Sequence, residues 1–156
     1  MVYRIPAVNL VGRGCLAQLK DEIGTLGCKK ALVVSDKFLT ENGVVEKVTK
    51  VLDQVGIEHT LYNDVKQNPS VANVEGGLEV LKKENCDFIV SIGGGSPQDC
   101  GKAISVLATN GGKITDYEGV NKSQKKCLPI VAIATTAGTS AEVTINYVIT
   151  DEETHI

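Results

Sequence analysis

Phe88-Ile89-Val90-Ser91-Ile92 is apolar at nearly every position and runs straight into Gly93-Gly94-Gly95. A strand without an alternating polar face has to be covered on both sides, which is the situation inside a parallel sheet lying between helices. Two more runs share this design. Ala31-Leu32-Val33-Val34 closes on Ser35-Asp36, and Leu128 to Ala134 closes on Thr135-Thr136.

The segments between these runs carry helical periodicity. Leu16, Leu19, Ile23 and Leu26 form one stripe, with Gly27 placed as a C-cap. Val44, Val48, Val51, Leu52 and Val55 form a second, ending at Gly56. Val71, Val74, Leu78 and Leu81 form a third, launched after Asn68-Pro69-Ser70. Ala103, Ile104, Leu107 and Ala108 form a fourth, with Pro97 near its first turn and Gly111-Gly112 past its end. The alternation predicts a doubly wound, mainly parallel α/β sheet flanked by helices and joined by right-handed crossovers. Near the end Val143, Ile145, Tyr147 and Ile149 alternate with Thr144, Asn146, Val148 and Thr150. That period of two predicts a half-exposed strand, antiparallel at an edge or leading away from the sheet. Tyr3 to Val11 predicts an N-terminal strand free to pair across a two-fold axis, which fits a homodimer or higher homo-oligomer.

At 156 residues the chain is the size of one domain. Its net charge of −3 argues against a nucleic-acid footprint or a polybasic membrane patch, and the absence of Trp argues against a base-stacking platform. No apolar run is long enough for a membrane span, and Pro6 and Asn9 interrupt anything resembling a signal peptide. Cys15, Cys28, Cys86, Cys100 and Cys127 form no C-x-x-C pair and read as buried small hydrophobes of a reducing cytoplasm. Lys122 to Lys126 reads as a solvated loop, and His59 as an exposed strand residue.

Three loops could carry chemistry. Gly93-Gly94-Gly95-Ser96-Pro97 lies between a strand and a helix. Its backbone can approach a ligand closely, and the helix presents free N–H groups and its positive dipole end. This predicts a pyrophosphate site; the plainer reading is a tight turn with Ser96 as N-cap and Pro97 as first helical residue. G-x-G-x-x-G is absent, and so is the phosphate-binding G-x-x-x-x-G-K-[ST]. Asp36 ends an earlier strand, whereas in an ordinary dinucleotide fold the ribose-binding acid follows the glycines by about 20 residues. Both can still face one crevice beyond the carboxyl ends of the strands, where a carboxylate would bond a ribose 2′-OH and favour NAD over NADP. Asp36 reads equally well as a helix cap. Thr135-Thr136-Ala137-Gly138-Thr139-Ser140 offers hydroxyls for ribose, phosphate or carboxamide, or else is a capped turn. With only His59 and His155 and no H-E-x-x-H, G-x-S-x-G or Cys–His arrangement, a general base, nucleophile or metal cage is missing from the pattern.

Ile92-Gly-Gly-Gly-Ser-Pro-Gln-Asp99 with Lys102-Ala103-Ile104, and Thr135-Thr-Ala-Gly-Thr-Ser-Ala-Glu-Val-Thr144, resemble the iron-containing (group III) alcohol dehydrogenases. The resemblance covers all 156 residues, and the run Glu142 to Glu153 is most similar to the lactaldehyde reductase branch, with 1,3-propanediol dehydrogenase close behind. It implies the Rossmann-like N-terminal domain of a dehydroquinate synthase-like fold. The implied activity is hydride transfer between NAD(H) and a small alcohol or aldehyde resembling a 1,2- or 1,3-propanediol, with one divalent iron or zinc ion. Carried over by motif, Asp36 would hold the adenosine ribose, Asn68 would lie near the adenine, and Gly94, Gly95 and Ser96 would hold the pyrophosphate. Thr135, Thr136, Thr139, Thr144 and Val148 would line the path to the nicotinamide. Asp99 is assigned a structural role at the helix start.

The family's metal is held by one Asp and three His, which two His cannot supply. Residues 1–156 therefore read as the dinucleotide-binding domain, without the family's helical metal-binding domain and inactive alone. Two other readings stand beside this one: a stand-alone, non-catalytic nucleotide-binding module, and a lyase of the dehydroquinate synthase kind. Thr135 to Thr139 and Pro97-Gln98-Asp99 favour the dehydrogenase over the lyase.

Overall fold

The computed structural model describes residues 8, 10–119, 122–142 and 147–153. Four parallel strands form one sheet in the order β2-β1-β3-β4: β1 (Lys30–Val34), β2 (Glu58–Tyr62), β3 (Phe88–Gly93) and β4 (Ile130–Ala134). The helices are α1 (Leu19–Thr25), α2 (Lys37–Glu41), α3 (Val44–Gln54), α4 (Val71–Lys83) and α5 (Gly95–Asn110), with 3-10 turns at Cys15–Gln18 and Ile114–Tyr117. The expected α/β architecture is the one observed.

The sheet separates two apolar layers, as apolar-on-both-faces strands require. Leu32, Val34 and Ile89 point toward α4 and α5, where they meet Val74, Leu81, Cys100, Ala103, Ile104 and Leu107. Ala31, Val33, Phe88, Val90 and Ile92 point the other way, onto Leu19, Ile23, Val45, Val48 and Leu52 of α1 and α3. The helical stripes read from the sequence thus supply both layers.

Several local features differ from expectation. α2 is a short extra helix, formed because Asp36 caps it. Among the described residues Tyr147 to Ile149 pair with no strand, and Thr150 makes a parallel bridge to Ser70. The alternation is nonetheless real: Tyr147 and Ile149 pack against the α4–α5 core while Val148 is 74% exposed. The Val148 N–H donates instead to the Asp99 carboxylate. Residues 143–146 lie outside the described residues, as do His155 and residues 3–7 and 9 of the expected Tyr3–Val11 strand.

His59 on β2 is half-buried rather than exposed, its Nε2 lying 2.9 Å from Asp53 Oδ1. Lys122 to Lys126 is an exposed loop. All five cysteines are free; Cys86 and Cys100 are buried, but Cys15, Cys28 and Cys127 are only partly covered. Burial pushes the Cys100 thiol up to about 12, which keeps it inert at neutral pH. Among the described residues no helix is long and apolar enough to cross a membrane.

Candidate functional site

The carboxyl ends of the strands are tied to one another by buried polar side chains. Ser35 Oγ, just past β1, donates to the Ile92 carbonyl of β3 at 2.9 Å. Gln98 of α5 is 1% exposed; its Oε1 accepts from Ser91 Oγ at 2.5 Å and its Nε2 donates to the Ile133 carbonyl of β4 at 3.0 Å. The Thr135 N–H donates to the Gly93 carbonyl at 3.1 Å. Buried polar groups satisfied in this way hold one arrangement, because losing any partner leaves a desolvated donor or acceptor.

The β3–α5 turn sits on this support. Gly93 has φ +147°, and a Cβ there would lie 2.6 Å from Pro97 Cγ, so glycine is required both by backbone and by space. Gly94, rather than Ser96, is the N-cap of α5, and no side chain caps the helix. The N–H groups of Gly94, Gly95 and Ser96 therefore have no intrahelical acceptor, and Pro97 at the third helical position has no N–H to satisfy. α4, by contrast, is closed by a capping box between Ser70 and Asn73.

The β4 loop faces this turn. A Cβ on Gly94 would stand 3.1 Å from Thr136 Oγ1, and one on Gly95 would stand 3.8 Å from Thr139 Cγ2. Asn68, at φ +55°, donates its backbone N–H to Ser96 Oγ at 3.3 Å. The structure thus brings Asn68, Gly94, Gly95, Ser96, Thr135, Thr136 and Thr139 together. Asp36 stands at the neighbouring β1–α2 turn, where its Oδ1 accepts from the Leu39 N–H at 2.8 Å; the helix-cap reading is the one observed, with Oδ2 unused by that bond. Val148 is on the strap of residues 147–150, tied to α5 by its N–H bond to the Asp99 carboxylate. Thr144 lies outside the described residues.

Sequence reasoning missed Ser35, Ser91 and Gln98 as the supports of the turn. The signal was present: a serine within an apolar strand and a glutamine on a helix face turned to the sheet must find partners when buried. Asp99 sits one turn inside α5 rather than at its start. Burial raises its carboxyl above the usual range, opposed by the Val148 N–H and Lys102, while burial lowers the Lys102 ammonium.

Among the described residues no three His, Cys, Asp or Glu side chains gather as a metal-holding group. A shallow, open concavity of about 470 Å³ lies around Lys30, Asp53, Gly56, Ile57, Glu58 and His59, at the amino ends of β1 and β2 and remote from the glycine turn. Its His59 and Asp53 are paired with each other.

A parallel sheet whose polar loops converge at the carboxyl ends of its strands, over a glycine turn and an uncapped helix, defines a class of α/β domain suited to phosphate-bearing ligands. The comparisons with known proteins narrow the class. Residues 6–156 match the iron-containing alcohol dehydrogenase family, and the chain belongs to it. It is 52% identical over 154 residues to alcohol dehydrogenase 4 of Schizosaccharomyces pombe, covering 99% of this chain and 36% of that protein. It is 47% identical over 144 residues to lactaldehyde reductase of Escherichia coli K12, covering 91% of this chain and 38% of that one. A crystal structure of 1,3-propanediol oxidoreductase superposes with a TM-score of 0.96 at 42% identity, over 99% of this chain and 41% of that one. The sulfoacetaldehyde reductase of Bifidobacterium kashiwanohense, solved in complex with NAD+, superposes at TM-score 0.89 and 33% identity, again over 99% and 41%. The chain spans about two fifths of the length of these relatives.

Proposed function

We propose that residues 1–156 are the dinucleotide-binding domain of an alcohol dehydrogenase that moves hydride between NAD(H) and a small alcohol or aldehyde. The observation that carries this reading is the β3–α5 turn: the N–H groups of Gly94, Gly95 and Ser96 at an uncapped helix N-terminus, the first two without a Cβ, faced by the Thr136 hydroxyl and the Thr139 methyl. These donors suit a pyrophosphate, whose charge the helix dipole also favours. Gly94, Gly95 and Ser96 would hold it. Asp36 would accept from the adenosine ribose through Oδ2 while still capping α2, and its charge would repel a 2′-phosphate. Asn68 would border the adenine side. Thr135, Thr136, Thr139, Thr144 and Val148 would line the nicotinamide side. NAD, when bound, supplies the hydride acceptor.

The described residues do not fit the family's metal, so no step is routed through an ion in this chain. In the whole protein an iron or zinc ion would be held by residues other than these. The substrate proposed is a small, propanediol-like alcohol, and the protein is proposed to be cytoplasmic and homo-oligomeric.

Titration calorimetry of the chain with NADH tests the reading. We expect weak but saturable binding, with NADPH weaker; no heat at millimolar NADH overturns it.

A further inference from the structure

We propose that Asp99 is a positioning residue: its carboxylate clamps the backbone of Val148 and so sets the strap of residues 147–150 at the margin of the cofactor crevice. The inference rests on the dinucleotide reading above, in which Val148 stands on the nicotinamide side.

The strap is anchored at two points. Asp99 Oδ2 accepts from the Val148 N–H at 3.1 Å, bridging 49 residues of sequence. Two residues on, Thr150 donates its N–H to the Pro69 carbonyl at 2.9 Å and accepts from the Val71 N–H at 3.1 Å. The adjoining Asn68 N–H donates to Ser96 Oγ at 3.3 Å. The contacts close a ring: from Asp99 to Val148, along the strap to Thr150, across to residues 68–71, then to Ser96 and back along the first turn of α5. Three of its members, Asn68, Ser96 and Val148, are cofactor candidates. Asp99 itself is 17% exposed and turned to the strap.

A carboxylate is a costly choice for a purely structural tie. It is mostly removed from water, and it holds Lys102, itself 13% exposed, with Nζ 3.7 Å from Oδ1. In return it gives a charge-assisted bond that fixes one N–H in a segment, Tyr147–Ile149, that has no strand partner among the described residues. Tyr147 and Ile149 seat the strap in the apolar core. That packing sets its depth, while the Asp99 bond sets its register along α5, so that Val148 faces outward.

The test compares two ligands and one amide. NADH and ADP-ribose share the adenosine diphosphate and differ at the nicotinamide. In the 156-residue chain, Asp99→Ala should weaken NADH about tenfold and change ADP-ribose by less than about twofold, as loss of one charge-assisted tie on the nicotinamide side requires. Asp99→Asn keeps an acceptor oxygen and should stay within about twofold of the parent for both ligands. Without ligand, the Val148 amide should exchange slowly in the parent and in Asp99→Asn, and quickly in Asp99→Ala. Equal losses for the two ligands, an unchanged NADH affinity in Asp99→Ala, or a fast-exchanging Val148 amide in the parent would each overturn the proposal. If the parent binds neither ligand, the dinucleotide reading fails and cofactor positioning fails with it, while a protected Val148 amide would show that the clamp itself exists. Should Asp99→Ala not fold, Val148→Pro deletes the donor from the exposed side and must give the same split between NADH and ADP-ribose.

Discussion

The β1–α2 and β3–α5 turns occupy equivalent places, each joining the carboxyl end of a central parallel strand to a helix. They solve the same problem in opposite ways. At β1–α2 the helix N-terminus is satisfied from within, by the Asp36 carboxylate on the Leu39 N–H. At β3–α5 the cap is a glycine with no side chain to offer, and the donors are left for something else. A protein gains about 1 kcal/mol from a good N-cap, so leaving one out of the longest helix, where Ser96 stands two residues away, is informative. One turn is closed by its own side chain, while the other leaves its donors open.

This contrast can be broken by substitution, and the largest effect should fall on the strained turn. Gly93→Ala places a Cβ against Pro97 at a backbone angle that side chains avoid. We expect a loss of more than about 2 kcal/mol in urea unfolding. Gly94→Val comes next and should separate binding from folding. Its φ of −81° lies outside the left-handed region, and the side chain would crowd Thr136 Oγ1 in the space assigned to pyrophosphate. NADH affinity should fall about thirtyfold, or about 2 kcal/mol, against a smaller loss of about 1 kcal/mol in urea unfolding because valine is a poorer N-cap than glycine.

At the other turn the effects are smaller and the two roles of Asp36 can be pulled apart. Asp36→Gly should move the NADH/NADPH affinity ratio about tenfold toward NADPH, and cost only a few tenths of a kcal/mol because glycine is itself an acceptable N-cap. Asp36→Ala should move the ratio similarly but cost about 1 kcal/mol. An unchanged ratio in both variants would mean that the carboxylate is a cap and nothing more.

The smallest effect is a dependence on pH. Burial raises the Asp99 carboxyl in the folded chain above its ordinary 3.8, so just above that pH the folded state holds more protons than the unfolded one. Stability should therefore decline through this group as pH rises from 3.8, and Asp99→Asn should remove that slope. Lys102 works in the opposite sense: burial lowers it below 10.5, so stability should climb through Lys102 as pH approaches 10.5. Urea midpoints of the parent and Asp99→Asn across these ranges read both slopes.

Much of the site was legible because its parts are local. Three glycines after an apolar strand mark a strand-to-helix turn, and threonines after another such strand mark a second loop at the same end of the sheet. The capping role of Asp36 was also local, reaching three residues ahead. Gln98 and Asp99 were harder. Gln98 satisfies β3 and β4 together, and Asp99 finds its partner 49 residues away, so neither role can be read from neighbours in the chain. The alternation from Val143 to Thr150 correctly gave the inward and outward faces of residues 147–149 but not their partner, because periodicity records which side chains are buried and is silent on where backbone hydrogen bonds go.

The sequence by itself determined the layered α/β plan, the helices that cover each face, and the end of the sheet at which polar loops gather. Burying apolar side chains on both faces of short strands leaves few other arrangements. Only the tertiary structure decided that Gly94 rather than Ser96 begins α5, that Gln98 and Ser35 brace the turn from beneath, and that Asp99 holds Val148. Each of these depends on which donor meets which acceptor once distant segments are packed together, and hydrogen bonds, unlike apolar burial, are directional.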